Sequence, residues 1–492
     1  MTDATEPPWV RRTHHVLRPD PSRVVSLIFL PGQEMAAAGE SRSTAVLDRV
    51  LALSDEEVDE KLASTAASFG ARHRGLDDVW DSHYALMAHR LEDPARLSAE
   101  RRRLIGAYFT QEFAIEGAAL FNPSMVKHPD QGDLEDGSTR FLMSVRAVGD
   151  GHISSVEWRT GIIDTANTLI FDPAPTAAVL PGSAPVTYSR SMFAQQLRER
   201  RGDRTNSTFV LDGLSESFTR HDLDVALDRL RDERLTRGAA VRTIGQLEWI
   251  AACNYAVEFA ADTPMQDRVI MPRGPSESRG IEDVRLVLFP QADGGVDYFG
   301  TYTAYDGHAV AAQLLHTRDF RTFDVTQLSG PGSKNKGMAL FPRQIDGRYV
   351  ALSRADRESN AVTTSADMHH WSQPMLVQTP RESWEIIQLG NCGPPIETPS
   401  GWLVLTHGVG TMREYRMGAV LLDLDDPTVV TGRLQGPLLT PTADERSGYV
   451  PNVVYSCGAM RHGRTLVVPY GCSDSAIRIA LVDLDGLLDA LR

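Results

Sequence analysis

Glu282 and Asp283 stand side by side in SRGIEDVRLVLFP, Ser278 to Pro290, and Arg285 follows before the chain turns apolar. Two adjacent acids at the mouth of an apolar strand can decorate a surface, pair with the arginine, or deliver a proton. Residues i and i+2 share a face of a strand, so Asp283 and Arg285 could form an ion pair. A carboxyl that gives up a proton near neutral pH needs a raised pKa, which burial supplies and a neighbouring guanidinium opposes. Three groups elsewhere suit an anion: Lys336 in a Lys-rich turn, Arg354 and His407. Arginine offers phosphate oxygens a planar fork, and histidine adds a donor.

What could bring such distant residues together is a repeat. A strand-like segment recurs five times: RFLMSVRAVGDG (140–151), DYFGTYTAYDG (297–307), GRYVALSRAD (347–356), GWLVLTHGVG (401–410) and GRTLVVPYGCSD (463–474). A Pro-containing strand precedes each, and another strand follows. Five units of at least three strands predict a five-bladed β-propeller. The middle strands end in Arg146, Asp306, Arg354, His407 and Asp474, and the preceding strands carry Asn122, Asp283, Lys336 and Asn391 near their starts. Equivalent blade positions converge on the axis, so these residues are expected to line one central pocket. A slip of one residue in any strand would turn its side chain away.

Helical periodicity fills the rest. TAVLDRVLALSDEEVDEKLASTAASF, with a Ser-x-x-Glu start at Ser54, DDVWDSHYALMAHRL and SAERRRLIGAYFTQEFAIEG predict a helical N-terminal extension over 1–112. RHDLDVALDRLRDERL and VRTIGQLEWIAACNYAVEFA predict a helical insertion at about 212–262, between the first and second blades of a propeller domain over 113–492.

Bulk properties narrow the partners. Lys+Arg minus Asp+Glu is 50 − 65 = −15, which argues against nucleic acid or an anionic membrane surface. No apolar run approaches the roughly 20 residues that span a bilayer, and the N-terminus has no apolar signal region, so a cytoplasmic protein is expected. None of the four cysteines forms a CxxC, which leaves free buried thiols as the expectation. HExxH, GxSxG, the P-loop and a strand-borne GxGxxG are all absent from the sequence, and the histidines lack metal-ligand spacing.

FNPSMV, GIEDVRLV, KNKGMALFPRQIDGRYVALSR, GNCGPPIETPSGWLVLTHGVG and PYGCSDSAIRIALVDLDGLL, in this order over roughly residues 115–490, resemble glycoside hydrolase family 130. That family holds inverting β-mannoside phosphorylases and some β-mannosidases on a five-bladed propeller. The helical additions look like those of its larger members that act on β-1,2-linked mannosides. The resemblance implies Asp283 as general acid, passing its proton through a sugar hydroxyl. It implies Asn122, Arg146 and Asp474 as ligands of the mannosyl unit, and Lys336, Arg354 and His407 as the phosphate cluster. Glu282 and Asp306 are expected to bind sugar hydroxyls, or else to support the strand and cap the TAYDGH turn.

No cofactor or metal is implied, only inorganic phosphate as co-substrate; a homo-oligomer through the helical additions is a further expectation. Two departures stand out. Val284 occupies the place of the family's usual proline, and Gln388 that of a lysine found in many phosphorylases. A neutral amide holds an anion less strongly than an ammonium does. An inverting hydrolase would need a second carboxylate ~6.5–9.5 Å away to activate water, and Glu385 and Glu397 are the nearest candidates in the sequence. Tyr302, Trp384 and Tyr415 could stack on sugar faces or pack in the core. The reading is an inverting phosphorylase of β-mannosides. Its rivals are an inverting β-mannosidase and a non-catalytic glycan-binding propeller.

Overall fold

The five repeated segments are strands in the computed structural model, which describes residues 6–32, 41–234 and 238–491. They run Thr139–Val148, Val296–Tyr305, Tyr349–Ser353, Gly401–Val409 and Thr465–Cys472. Each pairs antiparallel with a strand before it and a strand after it. Gly401–Val409 is buried at every position. It therefore reads GWLVLTHGV, apolar on both faces, instead of alternating.

The chain divides into two compact units, residues 20–117 with 175–179, and the remainder. In the larger unit the strands form an eleven-stranded sheet, two five-stranded sheets, a four-stranded sheet and a two-stranded pair. The eleven-stranded sheet holds two of the repeats, joined by a single parallel register point, Gly280 against Ser154. The N-terminal strand Val10–Leu17 pairs with Ala476–Asp483, so both ends of the unit share one sheet. Residues 10–17 thus lie in a sheet, where a helical extension was expected to begin the chain.

Hydrogen bonds link successive repeats. Ser124 Oγ accepts from Leu286 N at 3.0 Å, and Thr301 Oγ1 donates to Met338 O at 2.7 Å. Asn391 Nδ2 donates to Gly337 O at 2.7 Å, Cys457 N donates to Pro123 O at 2.8 Å, and Met125 N donates to Gly458 O at 3.2 Å. A Cβ on Gly393, at φ 118°, would lie 2.3 Å from Cys457 O, so glycine is required where these two segments meet.

Four helices stand between Thr187–Ser189 and Tyr255–Glu258: Arg190–Glu199, Arg204–Asp212, Arg220–Arg234 and Gly238–Ala252. The helical stretch therefore starts well before residue 212. Phe193, Leu197, Val210 and Leu211 join Leu223 and Leu227 in one apolar cluster. The polar run around Gly202 breaks the periodicity that would have revealed the first two helices. Residues 255–258 are a strand paired with Thr322–Gln327, not the end of a helix.

The smaller unit contains the helices expected from 42 to 108, with the Ser54–Glu57 capping box in place. Its difference is TQEFA, which is the strand Thr110–Ala114 paired with Val24–Ile28. β-Branched and aromatic residues there win over the helical spacing once a partner strand is available. Among the described residues, no helix is long and apolar enough to cross a membrane.

Candidate active site

Two of the first strands carry the same distortion. Ala119–Lys127 shifts register between Phe121 and Ser124, and Gly280–Pro290 shifts between Glu282 and Arg285. Each shift sets two residues against one on the partner strand, which is a β-bulge. Asn122 and Asp283 occupy these bulges with φ of 48° and 58°, and Asp474, in the turn after Thr465–Cys472, has φ of 49°. Left-handed backbone costs a non-glycine residue about 1–2 kcal/mol, and such strain gathers where a side chain has to be aimed. All three residues line one pocket, with Arg146, Lys336, Arg354 and His407. Pro123 in one bulge and Val284 in the other occupy the same place, so this backbone does not depend on proline.

The acids are held from one side. Asn122 Nδ2 donates to Asp283 Oδ1 at 2.8 Å, and Arg146 Nη1 donates to the same oxygen at 3.1 Å. Arg146 Nη2 donates to Glu282 Oε1 at 3.0 Å, and Lys336 Nζ donates to Glu282 Oε2. Arg285 does not pair with the Asp283 carboxylate. Its Nη1 donates to the Asp283 carbonyl at 3.0 Å and its Nη2 to Tyr455 Oη at 2.6 Å. Glu282 thus ties two cations together just behind the pocket lining.

Burial pushes the Asp283 carboxyl up, but Arg146, Arg285, the Asn122 hydrogen bond and Lys336 together hold it below the usual carboxylate range. Asp474 goes the other way. Burial first, and then the charge of Asp283, raise it to about 7 against the pull of Arg146 and Arg413. Two carboxyls in one pocket whose environments drive their titrations apart are the usual arrangement of an acid–base site.

The cationic side is built around His407, at 2 % exposure. His407 Nδ1 lies 3.1 Å from Asn391 O, and a carbonyl can only accept, so Nδ1 carries the proton. Nε2 is then the acceptor for Arg354 Nη1 at 3.0 Å. Burial, Arg354 and Arg285 hold the imidazole well below its ordinary pKa, which keeps it neutral. Gly390 is needed beside the pair, because a Cβ there would lie 2.5 Å from His407 Cε1 and 3.0 Å from Arg354 Nη1. Asp356 does not engage Arg354; it accepts from the backbone of Glu358 and Ser359.

Some sequence candidates lie elsewhere. Asp306 is not among the pocket-lining residues; its Oδ1 accepts from His308 N and Ala309 N at 2.8 and 2.7 Å, so it caps a turn. Glu385 is buried, bonded to Arg433 and to the backbone of Arg381 and Glu382, and Glu397 pairs with Arg343 on the surface. Neither lines the pocket. Tyr302 donates to Glu277 Oε2 at 2.8 Å within the core, and Trp384 packs against Gly408 and Gly418.

The structure adds pocket residues that the repeat did not single out: Arg413, Val450, Val453 and Tyr455. Tyr415 and Gln388 are also in the lining, with Gln388 Nε2 donating to Tyr415 Oη at 3.3 Å. Tyr455 had a sequence signal, since it falls in the first strand of the fifth unit. Arg413 had none, because the equivalent turn of the first unit, Gly149–Ile153, carries His152 at that position.

The family model described as beta-1,4-mannooligosaccharide phosphorylase matches residues 259–492. A 1,2-beta-oligomannan phosphorylase of Thermoanaerobacter sp. (strain X514) is 35% identical over 248 residues, covering 48% of this chain and 80% of that protein. A beta-1,2-mannobiose phosphorylase of Listeria innocua serovar 6a is 34% identical over 217 residues, 42% of this chain and 59% of that protein. Among solved structures, the complex of beta-1,2-mannobiose phosphorylase from Listeria innocua with beta-1,2-mannobiose aligns at 22% identity and a TM-score of 0.45, over 77% of this chain and 93% of that one.

Proposed function

The chain belongs to glycoside hydrolase family 130, and on that premise we propose that it is an inverting phosphorylase of β-mannosides, acting on β-1,2-linked manno-oligosaccharides. The larger unit, which holds most of residues 113–492, is the catalytic domain, and the five strand triplets are the blades of a five-bladed propeller, two of them merged in the eleven-stranded sheet. The observation that carries the reading is the pocket itself. A part-buried acid, Asp283, aimed by a strained bulge, shares one pocket with a cluster of cations.

Inorganic phosphate is the co-substrate, and no cofactor is required. An oxygen of phosphate attacks C1 of the terminal mannosyl unit from the face opposite the glycosidic bond. The C1–O bond breaks, its electron pair stays on the leaving oxygen, and that oxygen takes a proton. The products are α-mannose 1-phosphate and a shortened oligosaccharide. Asp283 supplies the proton. Its low pKa suits a resting state tied to Arg146; an arriving phosphate dianion adds like charge and raises it toward protonation. Asn122, Arg146 and Asp474 hold the mannosyl unit, with Glu282 supporting from behind. Phosphate is already nucleophilic and needs no base, which agrees with Glu385 and Glu397 lying outside the pocket.

Water is the second reading, favoured by the neutral Gln388 among the cations; Asp474 would then be the base. One experiment separates the two. β-1,2-Mannobiose is incubated with and without phosphate, and products are followed by phosphorus and proton NMR. The expected result is phosphate-dependent formation of α-mannose 1-phosphate. Equal sugar release in both arms, with no sugar phosphate, would give the enzyme to water.

A further inference from the structure

The cations of the pocket differ in what already holds them. Arg146 is bonded to Asp283 and Glu282, and Lys336 to Glu282. Arg285 is bonded to Tyr455 Oη and the Asp283 carbonyl. Among the described residues, no carboxylate lies within ion-pair distance of Arg285, Arg354 or Arg413; Arg285 is buried, with both of its Nη atoms already taken by neutral oxygens. Arg354 has neutral His407 as its acceptor, and Arg413 lies over the Tyr415 ring at 5.7 Å. A neutral acceptor orients a guanidinium without cancelling its charge, and a ring face cancels it only in part.

Arg413 reaches the pocket through a turn that the first unit repeats at Gly149–Ile153, with His152 in the place of Arg413. Met412 and Arg413 are consecutive left-handed residues, with φ of 57° and 55°. The turn is closed by Gly410 N on Glu414 O at 3.0 Å and Glu414 N on Thr411 O at 3.2 Å. Glu414 is anchored by Arg416 at 2.7 Å and Arg446 at 3.1 Å. The acid next to Arg413 is thus satisfied by other arginines. The strained backbone directs the remaining cation beside Tyr415, whose hydroxyl already meets Gln388.

We infer that Arg413 is an anion-binding residue of this pocket. With Arg354 it supplies the net positive charge that holds the phosphate co-substrate, while Lys336 serves the sugar side through Glu282. His407 is a positioning residue in this arrangement, since its Nε2 is occupied as the acceptor for Arg354. Gln388 contributes at most a neutral donor, so the charge absent at that position is provided from the rim. The inference rests on the phosphorylase reading.

The test measures KM for phosphate and for β-1,2-mannobiose separately in wild type, Arg413→Ala, Arg413→Lys, Lys336→Ala and Arg413→Ala combined with Gln388→Lys. Loss of one charge-assisted contact corresponds to about 10- to 100-fold. Arg413→Ala should raise KM for phosphate by that factor and leave KM for the mannoside within about 2-fold. Arg413→Lys should fall between, and Gln388→Lys in the Ala background should recover most of the loss by restoring a cation beside Tyr415. Lys336→Ala should show the opposite split. Arg413→Ala with an unchanged KM for phosphate, or one that moves only the pH profile through Asp474, would overturn the inference. Wild type that forms no sugar phosphate at all would instead overturn the reading beneath it.

Discussion

Asn122 and Asp283 are bonded to each other at 2.8 Å from equivalent bulges of two successive repeats, each with a left-handed backbone. Left-handed φ in a bulge re-aims a side chain that an unbroken strand would direct onto a sheet face. The amide holds the acid from one side, and Arg146 holds the same oxygen from another.

Removing the proton of Asp283 is therefore expected to abolish turnover without unfolding the chain. Asp283→Asn keeps the shape and the left-handed tolerance of the residue, and asparagine suits that region as well as aspartate does. Loss of a proton-transfer residue costs roughly 10²–10⁴ in rate. Initial rates of sugar phosphate release, beside a thermal unfolding curve, measure both effects. A variant that unfolds near the wild-type temperature and still turns over within a few fold would remove Asp283 from the chemistry.

Asp474 gives the protein a pH dependence of known sign. Its carboxyl titrates at about 7 in the fold because of burial and the neighbouring Asp283 charge, while an unfolded aspartate titrates near ~3.9. Between those values the native state keeps a proton that the unfolded chain has released. The raised pKa therefore lowers stability as pH rises across this window. Asp283, held low by Arg146 and Arg285, has the opposite sign: its contribution is present above about pH 4 and lost as the pH falls further. Asp474→Asn should flatten the fall in thermal stability between about pH 4 and 7. Parallel curves for variant and wild type would show that Asp474 ionises normally.

The repeat was readable because strand pairing writes the same polar ending into each unit, and that alone placed Asn122, Arg146, Asp283, Lys336, Arg354, His407 and Asp474 on one pocket. Asn391 and Asp306 shared the pattern but not the place: Asn391 is buried outside the lining and donates to Gly337 O. An Asp-Gly step favours a side chain that caps its own turn, and two backbone amides take its carboxylate. The division of labour among the cations was not readable, since it depends on which acid each one meets. Lys336 and Glu282 are 54 residues apart in sequence. Arg413 depends on a turn whose counterpart in the first unit carries His152, and the helices at 190–212 on an apolar cluster interrupted at Gly202.

Gly390 is expected to be specific to the anion side. A methyl group there meets His407 Cε1 at 2.5 Å and Arg354 Nη1 at 3.0 Å, and the buried ring has little room to retreat. Gly390→Ala should push Arg354 off its acceptor. It should raise KM for phosphate roughly tenfold and cost about 1–3 kcal/mol of stability by overpacking. Steady-state kinetics with each substrate varied in turn will test this. An equal rise in KM for the mannoside would mean that the two sides of the pocket are not separately built.

Glu385 discriminates between a catalytic base and a structural anchor. Its Oε1 accepts from Arg381 N at 2.7 Å and Glu382 N at 3.0 Å and is bonded to Arg433, so it closes the loop that leads into Gln388. The side chain is 2 % exposed, and breaking a buried ion pair from one side costs on the order of 3 kcal/mol. Glu385→Gln should therefore lower the unfolding midpoint while leaving the rate of folded enzyme within a few fold at moderate temperature. The ratio of sugar phosphate to free sugar should not change. If the variant keeps its stability and loses turnover, Glu385 reaches the reaction after all, and a hydrolytic mechanism with Glu385 as its base becomes the better account.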